Sequence, residues 1–473
     1  AVLGCSTEIV EPMTFGQKRF WFLHHYIDNP TTFNIAYSFK LNGTIRTGEL
    51  ARAVETVADR HEALRTRFFW SNDDTKTPMQ GIMSKSLVHL EAIQIDSEAQ
   101  ALEELDAMRE QKWDLGDWKQ LRLRLLSLSD TVHYLLMGTH HISMDGFSMN
   151  VLMLDINRVY NGSGIPLVPL AAGSQARDFG QQQLLAYEAG KFQPAIMYYR
   201  QALKSIDLSR PVELLSFARS QIRHPLESYN STVTRVRLDS QTTARLKSLA
   251  RSHRSTSFHA YLAALQALLF RLLPTETTEK LIIGIADANR IDGKFMGSIG
   301  NFLNVLPVLF DRNSGGCTFG QAIEDTRNNV YATLEHSGLP FDLLLDELAV
   351  PRSNAYPPVC QIFMDYKLFT REQAEMPWAG CKVSEHKWHP ARGAYDIALE
   401  IVEDRESALL AIHTQEALYS KEATDLLMRS YVNVLKEVVK QGGEKTKVEK
   451  LEKWDMTDVK TALELGKGMS TSK

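Results

Sequence analysis

"GTHHISMDGFS", residues 138–148, places two adjacent histidines, His140 and His141, at the end of an apolar run and follows them with Asp145 and Gly146. Before it, "LRLRLLSLS" (121–129) and "TVHYLLMGTH" (131–140) read as two strands joined by a tight turn at Asp130. After it, "FSMNVLMLDINRVY" repeats its apolar residues at helical spacing. The spacing predicts a strand-to-helix corner, where side chains project from a rigid sheet edge.

Outward from this corner the chain mixes helices and strands throughout, an α/β pattern. Phe33, Ile35, Tyr37, Phe39 and Leu41 alternate as in a strand with one buried face. From Thr47, an expected N-cap, Leu50, Ala53, Val54, Val57, Ala58 and His61 recur at three-four spacing. Further on, 255–273, 318–336 and 420–441 read as helices, the last starting at Ser420, and 280–290 reads as a buried strand leaving the core. Gly, Pro and Ser collect at 161–180, the softest boundary, and the residues after 441 are charged and turn-rich.

A length of 473 residues, 44% of them hydrophobic and 23% charged, favours two lobes over a single core. The net charge of -4, with signs interspersed, offers no footprint for nucleic acid. Apolar runs such as "LIIGIA" (281–286) are too short for a bilayer and the start lacks a signal sequence, so a soluble chain away from membranes is expected. Cys5, Cys317, Cys360 and Cys381 are widely scattered, which points to reduced thiols and a cytoplasmic setting. Ala at position 1 suggests a chain cut from something longer.

A chance match to His-His-x-x-x-Asp-Gly in such a chain is on the order of one in a thousand. Two readings compete. In one, His140 is a hydrogen-bonded core residue, Asp145 caps the following helix and Gly146 permits the turn. In the other the corner is chemical: strand alternation sends His141 to the side opposite His140, and a neutral imidazole is a natural proton acceptor near neutral pH. A metal site needs a third ligand at usable spacing, so no metal is expected.

The motif resembles the active-site signature of the condensation domains of nonribosomal peptide synthetases. Six further signatures follow the family order: "MTFGQKRFWFL" (13–23), "RHEALRTRF" (60–68), "ARDFGQQQ" (176–183), "SIGNFLNVLPV" (298–308), "LPFDLLLDEL" (339–348) and "PPVCQIFMDYK" (357–367). "TTFNIAYSF", "PMQG" and "GIADANR" look most like the version fused to fungal iterative polyketide synthases, of the lovastatin nonaketide type. The resemblance implies two chloramphenicol-acetyltransferase-like lobes forming a V around a central tunnel. The corresponding division is a linker at 1–10, an N-terminal lobe at 11–175, a C-terminal lobe at 176–441 and a charged linker or tail at 442–473.

It also implies an acyltransferase that joins an acyl thioester to an amine. An acyl carrier protein and a peptidyl carrier protein would deliver phosphopantetheine arms as substrates, beside other domains of a megasynthase, with no cofactor bound directly. His141, His140 and Gly146 are the catalytic candidates, His141 as base or as the group that orients the amine. Asp145 would hold the corner with Arg290 as its partner. Arg65, Asn304 and Ser298 are tunnel candidates; Arg65 reads equally as a surface cation, and Asn304 equally as a residue satisfying backbone.

The chain departs from the family pattern at Ala176, where an aromatic is usual, and in the unusual "SGIPLVPLAAGSQA" (163–176) before it. No adenylation or carrier domain follows before Lys473, so the alternative is an orphan condensation-like domain that docks the acyl carrier protein and assists chain assembly or release without forming an amide. Plant-type acyltransferases expect a late Asp-Phe-Gly-Trp-Gly, whereas "DFGQQ" here comes early and lacks the tryptophan. Epimerisation and cyclisation variants fit less well, the first lacking its carboxylate signature and the second usually altering the paired histidines.

Overall fold

The structure, a computed structural model, describes residues 7–162, 167–312, 316–368 and 377–467. Those up to Lys191, with Ala288–Asn304 and the described part of 372–392, form one compact unit. It begins with β1 (Thr7–Pro12), α1 (Phe15–Tyr26), β2 (Asn34–Asn42), α2 (Thr47–Arg60), β3 (Thr66–Trp70) and β4 (Pro78–Met83). β5 (Leu90–Gln94), α3 (Glu98–Arg109), β6 (Leu121–Ser129), β7 (Val132–His140), α4 (Gly146–Asn161) and α5 (Ala176–Glu188) follow.

The second unit comprises 192–287, 305–368 and 393–467 of the described residues. It contains α6 (Gln193–Ala202), β8 (Ser231–Leu238), α7 (Ser240–Ser252), α8 (Ser257–Leu272), β9 (Lys280–Asp287) and β10 (Asn304–Asp311, from Val305 on). Next come α9 (Phe319–Leu334), α10 (Phe341–Glu347) and β11 (Ile362–Leu368). β12 (Lys382–His389) returns to the first unit, and β13 (Ile397–Glu403), β14 (Ala408–Gln415), α11 (Lys421–Val438) and α12 (Met456–Lys467) complete the second.

In the first unit five strands run in the order β12-β2-β7-β6-β5. β7 is paired on both edges, and every residue from His133 to His140 is buried. One sheet face packs Leu123, Leu125, Leu135 and Met137 against Leu50, Val54 and Val57 of α2 and Leu152 and Ile156 of α4. The other packs Ala36, Leu126 and Leu136 against Ala101, Leu105 and Met108 of α3. Helices on both faces account for the near-continuous apolar run before the histidines, since a strand covered on both sides has no need of polar alternation. The second unit carries a six-stranded sheet, β10-β9-β11-β13-β14-β8, with α8 and α11 in its core.

Several expectations are corrected. Thr47 is the first helical residue rather than the cap; the cap position is Arg46, which makes no side-chain cap bond and whose N–H goes to the Tyr160 hydroxyl at 3.0 Å. Residues 7–10 of the expected linker lie in β1, paired with β4, while 1–6, including Cys5, lie outside the described residues. The segment expected as a charged tail is folded as far as 467. Leu451 is buried, Trp454 donates to the Ser430 hydroxyl at 2.8 Å, and buried Asp458 pairs with Arg429 at 2.7 Å. Most of its charges lie on the outer side of packed structure, which composition alone does not distinguish from a tail. A single cut at 175/176 also differs from the interleaved units, because 176–191 and two later segments return to the first unit. Residues 163–166 of the unusual segment before α5, and 468–473, fall outside the described residues. Among the described residues no helix is long and apolar enough to cross a membrane.

Candidate active site

The register of β2 against β7 pairs Asn34 with His140, so the next residue, His141, leaves the sheet. Its N–H donates to the Phe33 carbonyl at 2.9 Å, which fixes where its side chain starts. His140 is fully buried, and its Nδ1 accepts the Ile142 N–H at 3.1 Å. A neutral ring with Nδ1 as acceptor carries its proton on Nε2. Burial, reinforced by the neighbouring His24 and His141, pushes its pKa well below the ordinary histidine value. His141 is half-buried, and its ring lies flat on Phe20, centroids 4.6 Å apart and planes within 11°.

Helix α1 supplies this platform. Its capping box, Thr14 with Gln17, starts the helix, and Gln17 ties it to β4 through Gln80 at 3.0 Å. Phe20 and His24, four residues apart, share one helical face. Phe20 covers His141, while His24 meets His140 edge to face at 5.1 Å.

Asp145 is the N-cap of α4: its Oδ1 accepts the Ser148 N–H at 2.8 Å. Its Oδ2 accepts the Phe302 N–H at 3.0 Å, and its own N–H donates to the Gly300 carbonyl at 3.1 Å. Arg290 approaches Oδ1 at 3.4 Å and donates to the carbonyls of Phe295 and Ser298 at 2.6 and 2.7 Å. Its guanidinium also lies over the rings of Phe147 and Phe302. Burial lowers its pKa despite the Asp145 carboxylate. The pair is therefore a knot that fastens the 288–304 segment to the start of α4.

Ser148 is the hub the sequence reading missed. Its Oγ accepts from Arg290 Nη2 at 2.9 Å and from the Gly300 N–H at 3.0 Å, and its single proton has Asp145 Oδ1 at 2.7 Å and the Gly300 carbonyl at 2.8 Å as acceptors. The i, i+3 spacing of Asp145 and Ser148 was a usable signal, since N-cap side chains reach N3. A second missed group is buried His61, whose Nε2 faces Asp155 at 2.9 Å and whose Nδ1 receives the Ile299 N–H at 3.4 Å. Gly300 allows a close approach: a Cβ there would stand 2.3 Å from the Ala176 Cβ. The small residue that departs from the family pattern at 176 is thus matched by glycine opposite. Gly146, by contrast, is exposed and has a negative φ, so the turn does not require glycine; a Cβ there would meet nothing within 4 Å.

The remaining candidates are placed as follows. Ser298 is fully buried, its hydroxyl on the Ser174 carbonyl and its own carbonyl on Arg290. Asn304 is buried at the head of β10. Arg65 is neither at the corner nor a free surface cation: it donates to the Asp59 carbonyl at 3.2 Å and to the Met83 carbonyl, bracing β4. Among the described residues no cluster of three or more His, Cys, Asp or Glu side chains is placed to hold a metal ion.

Residues 8–455 match the condensation domain family, and the chain belongs to it. It is 60% identical over 467 residues to the hybrid PKS-NRPS synthetase tasS of Hapsidospora irregularis, covering 99% of this chain and 12% of that protein. It is 45% identical over 462 residues to the equisetin synthetase eqxS of Fusarium heterosporum, covering 97% and 11%. The chain thus spans about an eighth of the length of these relatives. Its fold is that of the condensation domain from the monacolin K polyketide synthase MokA, with a TM-score of 0.85 at 24% identity over 92% of this chain and 98% of that one. The two lobes are accordingly of the chloramphenicol-acetyltransferase-like α/β type.

Proposed function

We propose that this chain transfers a carrier-bound acyl group, a polyketide by the nature of its relatives, from a thioester to an amine, forming an amide. The observation that carries this reading is the contrast within the histidine pair. His140 is sealed and neutral, whereas His141 is half-buried and held against Phe20 at the end of a rigid strand.

An α-amine has a reference pKa of about 7.7–8.0, so part of it is neutral nucleophile near pH 7. Its nitrogen attacks the thioester carbonyl; the C–N bond forms, the C–S bond breaks, and the amine proton passes by way of His141 to the departing thiolate. His141 acts on the amine as base or orienting group. His140 sets the backbone from which His141 projects. The first N–H groups of a helix have no partner within it, so the start of α4 at open Gly146 offers the developing oxyanion donors and a favourable dipole. Arg290 balances the Asp145 charge that would otherwise oppose an anion there. Asn304 is our candidate for a hydrogen bond to a pantetheine amide, while Ser298 and Arg65 act as braces. The partners are an acyl carrier protein, a peptidyl carrier protein and the other domains of a megasynthase.

The test mixes an acyl carrier thioester with amine donors and follows amide by mass spectrometry. His141→Ala is expected to lower product formation about a hundred- to ten-thousand-fold while leaving carrier affinity unchanged. Wild-type protein that binds the carrier yet makes no His141-dependent amide would favour the docking role instead.

A further inference from the structure

We propose that Arg392 is a positioning residue for His141, acting through the turn that precedes β2; this rests on His141 being the reactive ring. The turn, "DNPTTF" (28–33), is already closed by its own bonds. Asn29 Oδ1 accepts the Thr31 N–H at 2.9 Å and the Thr31 hydroxyl at 2.7 Å. The Asn29 carbonyl accepts the Thr32 N–H at 3.2 Å and its hydroxyl at 2.7 Å. Arg392 is not needed to make this turn; it holds the turn in place.

Four contacts do so. The Arg392 main-chain N–H donates to the Thr32 carbonyl at 2.7 Å, its Nη1 donates to Thr31 Oγ1 at 2.8 Å and to the Thr31 carbonyl at 3.4 Å, and its Nη2 pairs with Glu110 just beyond α3, whose Oε2 is a second acceptor for the Thr31 hydroxyl at 3.1 Å. Arg392 stands 361 residues from Thr31 along the chain, three residues after β12, whose pairing with β2 runs as far as His389 opposite Ala36, so the clamp carries that ladder on to the turn. The residue after the clamped pair is Phe33, and it reaches the reactive ring by two routes. Its carbonyl accepts the His141 N–H at 2.9 Å, and its ring packs edge to face at 5.2 Å on Phe20, the residue on which the imidazole is stacked. A shift of the turn therefore moves both the main chain and the platform of His141.

The chemistry of the clamp argues for position over bulk stability. Arg392 is 9% exposed, and Glu110 faces it from a side chain 54% exposed. The guanidinium thus gives up most of its hydration for a counter-charge that water still screens, and an apolar side chain would fill the same space without that cost. The planar fork bonds the threonine and the carboxylate at once, which a single ammonium does not reproduce. Displacing a reacting group by about 1 Å costs up to a hundredfold in rate, so a small movement of the turn suffices.

The test uses Arg392→Ala, Arg392→Lys and Glu110→Gln in the full chain, beside wild type and His141→Ala. Arg392→Ala is expected to lower kcat for amide formation about ten- to a hundredfold with KM for both substrates nearly unchanged; Arg392→Lys falls between, and Glu110→Gln follows in the same direction. Independently of turnover, amide hydrogen exchange at His141 is expected to quicken in Arg392→Ala while the mid-strand amides of Leu135, Leu136 and Met137 keep their wild-type rates. Wild-type kcat with unaltered His141 exchange overturns the proposal, as does a loss of activity accompanied by faster exchange across all of β7, which marks a purely structural role. If wild type makes no amide, the acyl-transfer reading fails and the exchange measurement alone decides the role of Arg392.

Discussion

Each unit buries an aspartate against an arginine, and the two pairs are built differently. In the first, Asp145 receives the Ser148 and Phe302 N–H groups as well as Arg290, so main-chain donors from α4 and from the 288–304 segment share one carboxylate. In the second, Asp396, just before β13, receives two N–H groups of Arg223, at 2.8 and 2.5 Å, and Arg223 also donates to the Val212 carbonyl at 2.8 Å. Burial pushes the Asp396 pKa above the usual carboxylate value although Arg223 opposes it. One pair organises the corner from which His141 projects; the other staples a long connection to a sheet. Main-chain donors cannot be removed by changing the arginine, and that is the lesson of the contrast: the corner survives as a shape only while its charge is balanced, whereas the staple has a second way out, protonation.

Arg290→Ala tests this most severely. It leaves Asp145 as a buried carboxylate whose main-chain donors remain, and the expected loss is about 3–5 kcal/mol in denaturant unfolding, with amide formation reduced at least as far as in Arg392→Ala. A loss below that of Arg223→Ala would break the comparison.

Arg223→Ala is expected to cost less, about 1–3 kcal/mol at neutral pH, because Asp396 can take up a proton. A carboxyl whose folded pKa is raised contributes stability that is complete below its unfolded value and is lost as pH rises through the folded pKa. Removing Arg223 raises the folded value further, so the deficit of the variant should shrink on going from pH 7 toward pH 4. A deficit independent of pH would show that Asp396 stays charged without its partner.

What the sequence disclosed follows the range of the forces involved. The corner was legible because β7 and α4 have strong periods and Asp145 caps within three residues of itself; α11 was legible for the same reason, down to its Ser420 cap. The order of seven motifs carried the family, and with it the pairing of Asp145 with Arg290 across 145 residues. For Ser148 only its bond to Asp145 was locally legible, and nothing local announced Phe20 as the platform of His141 or Arg392 as a clamp, since these partners come together only when distant segments meet. Thr47 misled because a threonine before an amphipathic run satisfies the cap rule, yet here the Tyr160 hydroxyl takes the preceding N–H. Arg65 looked like either a tunnel residue or a surface cation, and its bonds to two carbonyls are a third answer that depends on the distance to β4.

The smallest expected effect concerns His140 and has the opposite sign to that of Asp396. Its folded pKa lies well below the ordinary value, so between about pH 6.5 and that lower value the unfolded chain binds a proton that the folded corner refuses. Stability from this ring is therefore full above about pH 6.5 and is lost as pH falls, at a slope of at most about 1.4 kcal/mol per pH unit. His140→Asn keeps an acceptor where Nδ1 meets the Ile142 N–H but removes the titration. Unfolding measured from pH 8 to pH 5 should show a shallower acid decline in the variant than in wild type, with His61, also lowered by burial, supplying part of the slope that remains. The first unit would then lose stability toward acid at the ring beside His141, while the Asp396 staple of the second gains there. Parallel curves for His140→Asn and wild type would mean that the buried imidazole accepts its proton within the fold, and the sealed half of the histidine pair would no longer differ in kind from the open one.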